Sequence, residues 1–398
     1  MKKLWSYALM AALSVTVLTG CKTSTSASSD TSAATVEAAS EAANDEAASK
    51  EDTSSENTSP ETDASREETS AAVSDTENSE ENDKENKDDI EIEAVDQNGA
   101  QIRIGSLKGP TSMGLVFLTE MSENGKTAND YEFTMVTAAD ELLPKVISGE
   151  LDMALLPANV ASVLYNRMDG AISVIDINTL GVLYVVTADD SIQSMADLKG
   201  RTIYMTGKGT TPDYVFRYLL SENGLSDNDL TLEYKSEPTE VAALLQQEDG
   251  AVGVLPQPFV TAACAQNKDL KIPLDLTAEW DKTQKSSPSP SRMVTGVTVV
   301  RNDFLEKEPE AVKIFLSEHE KSAAYTKEQT QKAAELVVKT GIIEKAPIAE
   351  LALPKCNITC ITGTQMKDAL SGYLQVLYDQ DPKSVGGKLP GDEFYYLP

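Results

Sequence analysis

The chain has 398 residues, 64 of them acidic and 34 basic, and its formal charge of −30 is unevenly distributed. Residues 96–398 keep about half of it, −15, which disfavours nucleic acid or an anionic membrane surface as a partner. About 300 residues is ample for a full core and more than one lobe. A single histidine and four cysteines offer poor material for a metal centre, and no metal or cofactor is expected.

Lys2 and Lys3 precede an apolar run over residues 4–18, which reads as a secretory signal because it is short and basic-flanked. It ends in Leu18-Thr19-Gly20-Cys21. This resembles the bacterial lipoprotein signal, which implies removal of residues 1–20, lipid modification of Cys21, and a membrane anchor there. From residue 22 to 95 the chain turns to Ser, Thr, Ala, Asn and acid, with 22 acidic and 5 basic residues. Such a composition buries too little apolar surface to offset chain entropy, and its like charges repel. Residues 21–97 are therefore expected to form a disordered spacer.

The folded part opens at residues 102–118, where a short alternating strand is broken by Gly109 and Pro110. Thr111 or Ser112 caps a helix whose apolar residues begin at Met113. Strands follow at 130–136, 151–156, 171–177 and 181–187, with helices over 138–148 and from 158 to 165. A second set of such units then begins. Strand 201–205 leads through T-G-K-G-T-T-P-D (206–213) into a helix to residue 220. Strand 230–235, helix 239–247, strand 251–255, helix 259–266 and strand 270–276 come next. After the polar, proline-rich segment 282–292, strand 294–301 precedes a mostly helical region over 309–378. This repeated alternation predicts an α/β architecture with helices on both sheet faces.

The two halves run parallel. Each has a strand that opens a helix through a Gly- and Thr-containing loop, and a later strand that ends in proline: L-L-P-A-N-V (155–160) and V-L-P-Q-P-F (254–259). Four such loops at the carboxyl ends of strands are the arrangement that lines a crevice in open α/β sheets.

These motifs carry a family resemblance over about residues 101–378. I-R-I-G, G-P-T-S, D-M-A-L-L-P-A-N-V-A, the S-M-A-D-L-K-G turn, G-T-T-P-D-Y-V-F and V-G-V-L-P-Q-P-F-V are similar to solute-binding proteins of bacterial ABC importers. The likeness falls within the nitrate, sulfonate, taurine and thiamine-precursor branch. The resemblance implies a periplasmic-binding-protein type II fold, two α/β lobes joined by a two-strand hinge: lobe 1 from 98–182 with 297–398, lobe 2 from 183–296. The crossings would fall near residues 180–184 and 295–299. It also implies a monomer that captures a small solute (sulfonate, carboxylate, nitrate or pyrimidine-like) and delivers it to permease and ATPase subunits. It would act on the outer face of the cell membrane of a Gram-positive bacterium. Enzymes of thiamine and menaquinone biosynthesis share the fold, as do sensing modules of membrane receptors, and both remain alternatives.

Carried over position by position, the solute would touch Gly109, Thr111, Ser112, Met113, Asn159, Gly209, Thr210, Thr211, Asp213 and Gln257. Gln257 stands where many relatives have glutamate, which weakens the case for a cationic solute. The Thr and Ser hydroxyls would act beside helix N-termini. Asp213, in a first helical turn, suits the helix dipole better than an anion. Tyr165, Tyr184, Tyr204 and Tyr214 stand either in an aromatic wall or in the core, and Trp280 either over the cleft mouth or as a surface anchor. Cys264 reads as a buried apolar group. Cys356 and Cys360 are either paired or free, since C-x3-C needs a kink for disulfide geometry. His319, in S-E-H-E-K, reads as a solvated helix residue. No nucleophile–base pair or carboxylate pair assembles, so no catalytic residue is assigned.

Overall fold

The computed structural model describes residues 99–285 and 291–398. The signal, Cys21 and the expected spacer up to residue 97 lie outside these residues.

The first α/β region begins with β1 (Gln101–Leu107), the single turn α1 (Pro110–Met113) and α2 (Val116–Glu123). It continues through β2 (Asp130–Val136), α3 (Ala139–Ser148), β3 (Met153–Pro157), α4 (Ala158–Arg167) and β4 (Ile172–Leu180). The second contains β5 (Leu183–Thr187), β6 (Thr202–Thr206), α5 (Thr211–Glu222), β7 (Thr231–Lys235) and α6 (Pro238–Gln247). Then come β8 (Val252–Pro256), α7 (Phe259–Gln266), β9 (Lys271–Asp275) and α8 (Leu276–Gln284). The chain returns as β10 (Val294–Arg301), followed by α9 (Asn302–Lys307), α10 (Pro309–Glu328), α11 (Thr330–Lys339) and α12 (Ala346–Ala352). It finishes with β11 (Ile358–Ile361) and α13 (Gly363–Gln380).

Two sheets result, ordered β2-β1-β3-β10-β4-β11 and β7-β6-β8-β5-β9. In each, a strand arriving from the other lobe is inserted antiparallel: β10 between β3 and β4, and β5 between β8 and β9. Of the remaining neighbours, β1, β2 and β3, and β6, β7 and β8, pair parallel, while the edge strand β11 pairs antiparallel with β4. This is the expected α/β architecture of two lobes. The inner strands β4 and β5 are buried at every residue, as strands covered by helices on both faces must be.

β4 passes through only Gly181 and Val182 into β5. Val294 pairs with Leu180, and Leu183 with Pro256. The carboxyl ends of β3 and β8 are thus brought to opposite sides of one short crossing. The return strand begins at Val294, inside the first sheet from its first residue.

The lobes also pack against each other. One apolar cluster runs from Leu156 and Val297 through Leu180, Leu183 and Met293 to Phe216, Trp280 and Tyr373. Trp280 is fully buried, with ring centroids 4.6 Å from Tyr218 and 5.5 Å from Tyr373. It neither covers a cleft mouth nor anchors a surface, because α13 folds over α5 and α8 and buries it. On the opposite flank the Tyr184 hydroxyl donates to Lys355 O at 2.7 Å. Asn357 grips the crossing itself: its carbonyl accepts from Leu180 N at 3.0 Å, and its Nδ2 donates to Gly181 O at 2.6 Å. Cys264, Cys356 and Cys360 are all free thiols. Cys264 is only half-buried, so it serves less as a core group than its sequence context suggested.

Candidate functional site

The first loop leaves β1 at Leu107 and enters α1 at Pro110. Gly109 has φ 146°, in the region that favours glycine. The Thr111 hydroxyl donates to Leu107 O at 3.4 Å, and that of Ser112 donates to the same carbonyl. Thr111 and Ser112 are buried, and Met113 is fully so among Val116, Ala323, Val337 and Ile358, where it serves the core. The helix expected to continue from Met113 stops after one turn. Gly114 intervenes, close enough to Ile358 and the His319 ring that a Cβ there would be crowded, and α2 restarts at Val116. A four-residue turn carries little macrodipole, so the helix-end argument lapses for this loop.

Its partner lies between β6 and α5. The Thr210 hydroxyl donates to Gly207 O at 2.6 Å. Gly209 N donates to Asp213 Oδ2 at 2.8 Å. Asp213 is buried and also accepts from Arg217 Nε at 2.6 Å and the Tyr234 hydroxyl at 2.7 Å. Burial, with Asp213 beside it, pushes the Tyr234 hydroxyl up to about 12. Asp213 therefore locks the loop from behind. Thr211, half-buried, is the first residue of the twelve-residue α5, long enough to present a real N-terminal dipole.

The two proline-ended strands each deliver an amide side chain, in different surroundings. Asn159 is half-buried and donates through Nδ2 to Ser384 O at 3.4 Å, while its Oδ1 is buried without a partner. Gln257 is almost wholly buried and its backbone N–H donates to Val182 O at 3.0 Å, on the crossing. Its Oε1 accepts from Thr261 at 2.8 Å, and Nε2 has no partner. The loops before Thr111 and Asn159 thus lie on the first-lobe rim, and those before Thr211 and Gln257 on the second. Tyr184 and Tyr214 act as interlobe contacts, Tyr214 donating to Asp381 Oδ2 at 3.1 Å.

Beneath the first loop is a buried polar system that the sequence reading missed. α10 presents Glu318, His319, Ser322 and Thr326, all buried, at helical spacing on one face. Ser322 Oγ accepts from Leu118 N at 2.9 Å, and the Thr326 hydroxyl donates to Ser322 O at 2.9 Å with Met113 O at 3.4 Å. Glu318 accepts from Ala128 N at 2.7 Å and the Tyr131 hydroxyl at 2.5 Å. His319 is not solvated. Its Nδ1 lies 3.1 Å from Asp176 Oδ2 on β4. Polarity misled here because each of these residues finds at least one internal partner, which offsets part of the usual cost of burial, although His319 Nε2 is buried without one.

Asp176 Oδ1 in turn accepts from the Thr298 hydroxyl at 2.9 Å, and Thr298 accepts from Asn178 Nδ2 at 3.2 Å. Among the described residues, Asp176, His319 and Cys360 form one group of metal-ligand type, their donor atoms within 4.8 Å. Its Asp–His contact is a hydrogen bond, and burial together with Asp176 pushes the Cys360 thiol up, which keeps it a thiol. The group is accounted for as packing beneath the loop.

A family profile described as "ABC transporter, phosphonate, periplasmic substrate-binding protein" matches residues 116–344. The chain belongs to this family of ABC-transporter substrate-binding proteins. Curated relatives include proteins of Brucella abortus (strain 2308) and Brucella suis biovar 1 (strain 1330), each described only as a binding protein. Both are 23% identical over 199 residues, 50% of this chain and 58% of theirs, so the match spans less than two thirds of their length. Among solved structures, an ABC transporter from Parabacteroides distasonis superposes with a TM-score of 0.62 at 22% identity, covering 74% of this chain and 98% of that one. The periplasmic aliphatic sulphonate binding protein SsuA of Escherichia coli gives 0.59 at 18% identity, covering 75% and 92%. At these identities the binding protein shares their fold.

Proposed function

We propose that this substrate-binding protein is an extracytoplasmic lipoprotein, anchored through Cys21 and a spacer over 21–97. It would capture one small polar solute between lobes 98–182 with 297–398 and 183–296, then deliver it to an ABC permease. The observation that carries this reading is the pairing of loops across the crossing. Thr111 and Asn159 stand on one rim, Thr210, Thr211 and Gln257 on the other, and residues 181–182 join the rims. Solute contacts to both rims would favour the closed arrangement.

The Thr111, Ser112 and Thr210 hydroxyls already donate to loop carbonyls, so the Thr211 hydroxyl, backbone N–H groups, the α5 N-terminus and Gln257 Nε2 are the donors considered for the solute. The test is a thermal-shift screen of the full-length chain against pooled alkylphosphonates, sulfonates, carboxylates and pyrimidines. A true solute at a hundred times its Kd adds about 2.7 kcal/mol, which raises Tm by about 4 °C at roughly 0.6 kcal/mol per degree for 300 residues. Absence of any shift across all pools would remove the small-solute reading.

A further inference from the structure

The carboxyl end of α13 joins the two rims from one flank. Gln380, the last residue of that helix, donates through Nε2 to Tyr214 O at 2.7 Å. Asp381 accepts from the Tyr214 hydroxyl through Oδ2 at 3.1 Å, and from Lys383 N through Oδ1 at 2.9 Å. Tyr214 stands in the first turn of α5, directly after the Asp213 that locks the second-rim loop.

Beyond Asp381 the chain lies along α4, which carries Asn159. Ser384 O accepts from Asn159 Nδ2 at 3.4 Å, and Val385 O accepts from the Ser162 hydroxyl at 2.8 Å and Asn166 Nδ2 at 2.9 Å. Val385 is fully buried. Gly386 runs so close that a Cβ there would lie 2.9 Å from Asn166 Nδ2 and 3.1 Å from Val163 Cα. One short segment, 380–386, therefore ties the helix that opens the second rim to the helix that opens the first.

This polar end continues an apolar seam. Tyr218 lies one turn beyond Tyr214 on α5, and Tyr373 two turns before Gln380 on α13, with Trp280 between the rings. Apolar contacts resist separation, but hydrogen bonds to a charged group are directional and about twice as strong as neutral ones. Burial, then the bond and charge of Asp381, pushes the Tyr214 hydroxyl up to about 12, so it remains a donor at neutral pH. Every partner in these bonds belongs to the chain, and none requires a solute.

We propose that residues 380–386 form a clasp: Tyr214, Gln380 and Asp381 hold the two rims in register before a solute arrives, and the clasp must open to admit one. This rests on the two-lobed reading above but is tested without solute.

The experiment is acrylamide quenching of Trp280 in the solute-free full-length chain, in a Trp5→Phe background that leaves a single indole. Tyr214→Phe with Gln380→Ala removes both bonds to α5 and keeps the Asp381 contact to Lys383. Loss of one such bond shifts an opening equilibrium by about tenfold, and of two by up to about a hundredfold. From an open fraction of about 1% this reaches about half, so the Stern–Volmer constant should rise at least about threefold. Tyr214→Phe alone should fall between, and it decides the matter if the double variant does not fold. Val146→Ala, a core truncation on α3 outside the seam, should keep the wild-type constant, which separates the clasp from general loosening. An unchanged constant in the clasp variants, or an equal rise in Val146→Ala, overturns the inference and leaves the solute-binding reading to the pooled screen.

Discussion

Replacing Trp280 with alanine tests whether the two lobes are braced by their shared core. The indole is fully buried, lies between Tyr218 of α5 and Tyr373 of α13, and its Nε1 donates to Ser291 Oγ at 3.3 Å. Truncating a buried Trp costs about 3–5 kcal/mol, including the cavity left behind. The two aromatic contacts account for about 0.5–1.5 kcal/mol each within that sum. Unfolding entropy of about 2.1 cal/mol/K per residue over roughly 300 residues is about 0.6 kcal/mol/K, so Tm should fall by about 5–8 °C. Scanning calorimetry of wild type, Trp280→Ala and Trp280→Phe measures it, with Phe expected between the other two. A drop below about 1 °C for Ala would mean that α13 does not brace α8, and the shared core would have to be abandoned.

Asp229 accepts from Lys199, at 2.9 Å, and from the Ser226 hydroxyl and N–H, and these contacts lower its carboxyl from 3.8 to about 2. A depressed folded-state pKa gives stability that is present above 3.8 and lost as pH falls through about 2. Asp229→Asn should therefore flatten the acid side of the Tm-versus-pH curve in that window, and an unchanged curve would exclude the contact. Gly296→Ala, whose Cβ would strike both Asn178 Oδ1 and the Thr111 methyl, should weaken solute binding at least about tenfold while costing about 1–3 kcal/mol; unaltered affinity in a titration would place the site elsewhere. Cys21→Ser should move the chain from the membrane fraction to the medium, and retention of the variant on cells would refute the lipid anchor.

The legible part of the fold was the part with local causes. β2 is bounded at Asp130–Val136, as read from the sequence, and α3 stops before Gly149 as a glycine stop requires. The parallel loops after β1, β3, β6 and β8 were likewise visible, because Gly, Pro and Thr mark the strand-to-helix turns. What escaped depends on partners distant in sequence. His319 becomes a core residue only because Asp176, 143 positions earlier, meets it. Trp280 is buried only because α13 returns over it. Asn178 was lost because the strand expected over 171–177 runs on to Leu180, three residues further. Asp176 and Asn178, two apart in an apolar run, were the available sign of a polar face there.

The reciprocal insertion of β5 and β10 has a consequence for how the protein is made. The second sheet draws its strands from one contiguous stretch, Leu183–Thr187 to Lys271–Asp275, and its contacts are comparatively local. The first sheet has a gap between β3 and β4 that only Val294–Arg301 can fill, and its outer strand comes from Ile358–Ile361. A chain emerging from its N-terminus therefore carries β3 and β4 with open edges while the entire second lobe is completed. The lobe that starts first must close last, and loop closure over such separations is slow. Unpaired strand edges held open that long are the places where a nascent chain pairs wrongly. Synthesis of the interval between residues 180 and 294 is thus the window in which the edges of β3 and β4 stay open longest.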